Sequence, residues 1–266
     1  MSVVDGIMMK VGGYPLYMRR AQVLHARHAA RLRRIEATCA ETVLAQLGGR
    51  RIAAEVITII STFRRPELVK RAVASALGQD VDGHHVIVVD DGAGLPDDLA
   101  ADDRVSWLSL PVNTKAAGVV RNVALRVSDS RYVAFLDDDN TWTPDHLRRS
   151  LEVHTGAVML SYTGIRRGYS DGRLHDVLNE PWSRRRMRRF SFVDTSAIVV
   201  RRFPGLQLAR LTARAGAPAE DWQLAWTFSA RHPVVHVDAV TVNYTVDQPG
   251  RYSRWRDRFV KEREAG

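Results

Sequence analysis

From Ile52 onward the chain alternates short, continuously apolar, β-branched runs with helix-like segments. That alternation confines it to an α/β fold, a Rossmann-like and mostly parallel sheet flanked by helices. The order is AAEVITII, a helix opening at Pro66 (PELVKRAVASALGQ), HVIVVDDGAG, RVSWLSLP, a helix in AAGVVRNVALRVS, and RYVAFL. Ligands of such sheets sit at the carboxyl ends of the strands. Those ends carry Ser61-Thr62-Phe63, Asp90-Asp91 and Asp137-Asp138-Asp139, so three polar clusters are expected on one sheet edge.

The flanks read differently. Residues 1–50 form an N-terminal helical extension: Val23, Leu24, Leu32, Ile35, Cys39, Val43, Leu44 and Leu47 recur at helical spacing, with arginines between them and a Gly pair as the stop. One long amphipathic helix or two shorter ones is expected, packed on the main domain; the alternative is a homodimerisation or membrane-surface element. Beyond Leu147, AVMLSYTGI, SFVDTSAIVVRR and VVHVDAVTVNYTV read as strands, the last with a break at Asp238 as the alternative. AEDWQLAWTFSARH reads as a helix with acids in its first turn, which the helix dipole favours. The Arg-rich residues 248–266 are set apart as a basic C-terminal tail, expected as a lid.

Charge and cysteine usage narrow the setting. Lys and Arg outnumber Asp and Glu by 39 to 30, giving +9, which suits acidic or phosphorylated partners. An Arg-rich solvated surface explains the same excess. The one cysteine, Cys39, excludes an internal disulfide and suits a reducing compartment. With no signal-peptide core and no apolar run of about twenty residues, a cytoplasmic protein without a transmembrane segment is expected.

Three adjacent aspartates repel one another unless a cation sits among them. Asp137 and Asp139 can share a divalent ion, and an all-oxygen site favours Mg²⁺ or Mn²⁺ completed by a ligand's diphosphate. An acidic turn capping a helix that begins at Thr143-Pro144 is the other reading.

The residues also carry a family resemblance. VITIISTFRRPELVKRAVASAL, VIVVDDGAG, VVRNVAL, RYVAFLDDDNTWTPDHL and AEDWQLAW, in that order, resemble the family 2 glycosyltransferases, which bind nucleotide sugars on a GT-A fold. DDNTWTPDHL and VNYTVDQ are similar to segments of the spore-coat polysaccharide glycosyltransferases of bacteria, which have threonine in place of Asp137. The resemblance implies a GT-A domain over 51–247, with a nucleotide-sugar half at about 51–145 and an acceptor half at about 146–247. It implies that Asp91 accepts a hydrogen bond from the base of a UDP or dTDP donor, while Asp90 holds the turn. Ser61, Thr62, Phe63 and Arg65 then line the nucleotide, and Arg121 meets diphosphate or ribose. Asp137 and Asp138 hold ribose and metal-bound water, with Asp139 as the direct ligand of Mn²⁺ or Mg²⁺. Asp221 is the implied base of an inverting displacement, with Glu220 at the rim orienting the acceptor. Two further readings stay open. One is a nucleotide-sugar or nucleic-acid binding protein without turnover, suggested by Arg184-Arg185-Arg186 and Arg188-Arg189. The other is a nucleotidyltransferase, although STFRRP is not a Gly-rich phosphate loop.

Overall fold

The computed structural model describes residues 7–8, 10–95, 102–211 and 220–246. Helices α1 (Tyr14–Leu24) and α2 (Ala26–Gln46) come first, the two-helix form of the expected extension, with the break at His25. The alternating region follows as β1 (Ile52–Thr62), α3 (Pro66–Leu77), β2 (His84–Asp90), β3 (Val105–Ser109), α4 (Ala117–Arg126) and β4 (Ser128–Asp137). Its four strands are parallel, in the order β3-β2-β1-β4; the apolar runs of β1, β2 and β4 are buried, and Leu108 is the buried residue of the edge strand β3. Continuous Val/Ile runs have no polar face to offer water, so both sides of this half-sheet are covered.

After β4 the sheet becomes mixed. The remaining elements are β5 (Thr141–Trp142), α5 (His146–Glu152), β6 (Leu160–Gly168), β7 (Leu174–Leu178), α6 (Arg184–Met187), β8 (Ile198–Arg201), α7 (Glu220–Phe228) and β9 (Val234–Thr245). The order continues β4-β8-β6-β9-β5, with β7 pairing Ile165–Gly168 of β6, beyond the residues that pair β8, and β8 runs antiparallel to both neighbours.

Two local expectations change, and a third holds with an irregularity. The helix expected from Thr143-Pro144 begins at His146 with Asp145 as its cap. Thr143 is occupied elsewhere: its N–H donates to Thr241 O at 2.9 Å, tying it to β9, and its hydroxyl donates to Asp145. Only the end of SFVDTSAIVVRR is a strand; Thr195–Ala197 is a 3₁₀ turn whose Ser196 N–H donates to Asp194. VVHVDAVTVNYTV is one strand, yet its register slips between the pairs Tyr162–His236 and Gly164–Val240, spanning Asp238.

The N-terminal helices pack on the sheet domain, the first of the two readings above. Tyr14, Tyr17, Cys39, Ala40 and Val43 belong to the same apolar core as the strands. Glu36 of α2 is 1% exposed and meets Arg126 at 3.0 Å, Arg210 at 2.7 Å and Asn122 at 2.9 Å. A carboxylate so buried is tolerated only with such partners, so this cluster fixes α2 against α4.

Candidate active site

Strand register delivers the three polar clusters to one edge. Ser61 lies opposite Asp137 and Thr62 opposite Asp90. Asp91 follows immediately, and its N–H donates to Thr62 O at 2.9 Å.

On the β2 side, Asp90 holds the turn, accepting from Ala93 and Gly94 N–H groups at 2.8 and 2.9 Å and from the Ser109 hydroxyl at 2.8 Å. Asp91 is buried and accepts the N–H groups of Thr114 at 2.8 Å and Lys115 at 2.9 Å. Burial pushes its pKa up, against the pull of those donors. Gly92 is required here: its φ is +77°, and a Cβ would stand 2.5 Å from Val112 C. Phe63 is exposed at the mouth, with the Arg64 guanidinium 5.1 Å from its ring centre.

The aspartates after β4 are held by arginines from two different helix approaches. Arg65, preceding α3, donates to Asp138 at 3.1 Å and Asp139 at 2.8 Å, and Thr62 Oγ1 donates to Asp138 at 2.8 Å. Arg121 of α4, fully enclosed, forms one ion pair with Asp137 and another with Glu220 at 2.6 Å. Glu220 is therefore inside this network rather than at the rim, and its side chain is only 13% exposed.

These cations do not cancel the cost of burial. Asp137 remains well above the usual carboxylate range, first through burial and then through the charges of Asp194, Asp139 and Glu220, against the pull of Arg121. Burial also raises Asp138 and Asp139, with Arg65 opposing in both. Asp137 and Asp139 are oxygen donors of the kind a hard divalent cation takes. Among the described residues no group of three or more His, Cys, Asp or Glu side chains converges to hold a metal. An ion between Asp137 and Asp139 would take its other oxygens from a ligand.

Asp221 stands in the first turn of α7, buried, with one oxygen accepting from Trp222 N–H at 2.6 Å. Trp222 donates its ring N–H to Met187 O at 2.7 Å. Tyr14 of α1 stacks on that indole, and the neighbouring Asp221 charge joins burial in pushing the phenol up.

Several supporting residues escaped the sequence reading. The Ser196 hydroxyl accepts from Asp137 N–H at 3.1 Å and Asn140 Nδ2 at 2.8 Å, while Ser196 O accepts from Trp142 Nε1 at 2.7 Å. One serine in a 3₁₀ turn thus anchors the aspartate loop. Asp194, Thr114, Lys115 and Tyr14 also lay unmarked. The basic run 184–189 is partly consumed by packing. Arg184 lies 4.0 Å from the Trp226 ring centre and Arg186 pairs with Glu180.

Comparisons with known proteins follow the same outline. The Glycosyl transferase family 2 model matches residues 57–205, more than half of the chain. ExoW, a succinoglycan biosynthesis protein of Rhizobium meliloti (strain 1021), is 34% identical over 112 residues, 38% of this chain and 34% of that protein. The alignment thus spans about a third of that relative's length. Among solved structures, S. aureus TarS 1-349 in complex with UDP-GlcNAc matches with TM-score 0.55 at 16% identity, over 75% of this chain and 60% of that one. The mannosyltransferase PcManGT from Pyrobaculum calidifontis, in complex with GDP-Man and Mn²⁺, matches with TM-score 0.51 at 16% identity, over 89% and 71%. At such identity the likenesses establish the fold alone, GT-A. With the family model covering the strands that carry Ser61, Asp91 and Asp137–Asp139, the chain belongs to glycosyl transferase family 2.

Proposed function

We propose that this chain transfers a sugar from a nucleoside-diphosphate donor, UDP- or dTDP-linked, to an acceptor hydroxyl with inversion at the anomeric carbon. The observation that carries this reading is the shared edge itself. Asp91 stands beside β1, and Asp137–Asp139, gripped by Arg65 and Arg121, stand across from it. A nucleotide lying over that edge would meet a hydrogen-bond acceptor at one end and oxygen donors with cations at the other. The TarS and PcManGT complexes, one with UDP-GlcNAc and one with GDP-Man, support a nucleotide-sugar donor of this class.

Each residue then has a chemical task. Asp91 oxygens each keep a lone pair after binding Thr114 and Lys115 N–H groups, enough to accept the ring N–H of uracil or thymine. Phe63 offers its face to the base, and Ser61, Thr62 and Arg65 border the nucleotide. Asp137 and Asp138 hold the ribose side, while Arg121 balances Asp137 and Glu220. Mn²⁺ or Mg²⁺, when held by Asp139 and Asp137, would supply Lewis-acid stabilisation of the departing diphosphate. Asp221 takes the acceptor hydroxyl's proton as the new carbon–oxygen bond forms and the bond to the diphosphate breaks. Glu220 keeps Arg121, and through it Asp137, in place.

Incubation with UDP-glucose, UDP-GlcNAc or dTDP-glucose in Mn²⁺ without acceptor tests the reading. Slow release of nucleoside diphosphate is expected. Release of nucleoside monophosphate or pyrophosphate would point to nucleotidyl transfer, and binding without turnover to a carrier.

A further inference from the structure

Nine large apolar side chains are exposed among the described residues, and five of them crowd into positions 7–24: Ile7, Val11, Leu16, Val23 and Leu24. The other four are scattered over the rest of the chain, so the N-terminal concentration is a surface feature that folding leaves open. On α1 the geometry is two-sided. Tyr14, Tyr17 and Ala21, at helical spacing, face the core, whereas Leu16 and Val23, seven residues apart, share the opposite side.

The stretch of chain that carries these residues has charge of one sign. Between Gly6 and Ile35 the chain has Lys10, Arg19, Arg20, Arg27, Arg31, Arg33 and Arg34 and no acid. The next acid, Glu36, is buried in its own cluster and does not reach the surface. Arg19 and Arg27 are exposed, and by helical spacing Arg19 and Arg20 lie in the sector of Leu16 and Val23.

We infer that this face docks on an anionic lipid bilayer. Leucine and valine can enter the acyl boundary while the interleaved arginines keep their heads among the lipid phosphates. A second copy of the chain is a poorer occupant, because a two-fold contact on this face sets cations against cations. A nucleic acid is poorer still, since the exposed apolar residues here are aliphatic and offer no stacking platform. The attachment is peripheral: α1 has 11 residues, and among the described residues no helix is long and apolar enough to cross a membrane. The stacking of Tyr14 on Trp222 carries one consequence, which rests on the function proposed above. A bilayer under α1 would lie beside the helix that holds Asp221, on the acceptor side of the site.

Flotation of the full chain with vesicles tests this without any donor or acceptor, so failure of the transfer assay leaves it standing. Vesicles of phosphatidylcholine with about one-third phosphatidylglycerol should carry the protein, and pure phosphatidylcholine vesicles should carry at least tenfold less. The triple variant Leu16→Ser, Val23→Ser, Leu24→Ser should lose binding tenfold or more with an unchanged circular dichroism spectrum. Arg19→Gln with Arg27→Gln, which leaves the apolar residues in place, should weaken binding severalfold and flatten its salt dependence. Equal flotation of the wild type and the triple variant overturns the inference. So does equal binding to the two kinds of vesicle, or a wild-type dimer in solution that the same triple variant dissociates.

Discussion

Tyr14 stacks on Trp222 with ring centres 4.5 Å apart and planes at 28°, so the N-terminal helix is built into the support of α7. The Tyr14 hydroxyl is buried and finds no hydrogen-bond partner among the described residues. Tyr14→Phe should therefore be neutral or stabilising by up to about 1 kcal/mol. Tyr14→Ala removes the stack and leaves a cavity, at a cost of about 3–5 kcal/mol. Chemical denaturation of both variants checks this; a loss above about 1 kcal/mol in Tyr14→Phe would show that the hydroxyl has a partner of consequence.

Asp139→Asn should abolish the metal dependence of nucleotide binding while leaving the fold intact. The amide keeps the shape and can still meet Arg65, but it lacks the charge a divalent ion needs. Calorimetric titration of UDP or dTDP in Mn²⁺ and again in EDTA is the measurement. Equal wild-type affinities in the two conditions would remove the metal from the proposal.

Asp91→Ala should weaken pyrimidine nucleotide binding by about 1.5–3 kcal/mol, the worth of a hydrogen bond to a charged group. Because Asp91 also anchors Thr114 and Lys115, Asp91→Asn is the needed companion: it keeps an acceptor for one of them. If both variants bind UDP as the wild type does, Asp91 only shapes the turn.

Asp221→Asn should retain donor binding yet lower transfer by a factor on the order of a hundred or more, since an amide cannot accept the proton. Glu220→Gln should act differently, through Arg121: its effect should appear in donor affinity as well as in turnover. A larger turnover loss in Glu220→Gln, with Asp221→Asn close to wild type, would exchange the two roles.

His146 provides a pH test away from the site. It stacks on Trp142 at 4.2 Å, bonds to Thr241 at 2.7 Å, and burial lowers its pKa from 6.5 to about 3. The unfolded chain thus binds a proton that the native state refuses, so stability falls as pH drops from about 6.5 towards 3. Between neutrality and pH 5 this one residue should cost about 2 kcal/mol. His84 and His154, each lowered to about 4 mainly by burial, add in the same direction. His146→Phe should shrink the difference in unfolding free energy between pH 7 and pH 5; an unchanged difference would mean that His146 titrates normally.

How much of this was legible beforehand follows from the range of each interaction. Continuous apolar runs specify buried strands, and adjacent polar residues must then leave the sheet at its carboxyl edge. Both are local properties, so the order of the first half and the meeting of Ser61, Asp91 and Asp137–Asp139 were present in the sequence alone. The pairing of charges was not. Arg121 meets Glu220 from 99 residues away and Glu36 meets Arg210 from 174, contacts that depend on how helices seat against a finished sheet. Asp145 rather than Thr143 precedes the helix, since Thr143 is bound by its N–H to Thr241 of β9 and by its hydroxyl to Asp145. The polar edge is thus written in the chain's periodicity. Which cation holds which carboxylate, and that Tyr14 supports the helix of Asp221, was decided by tertiary packing, where burial forces every charge to find whatever partner the fold brings within reach.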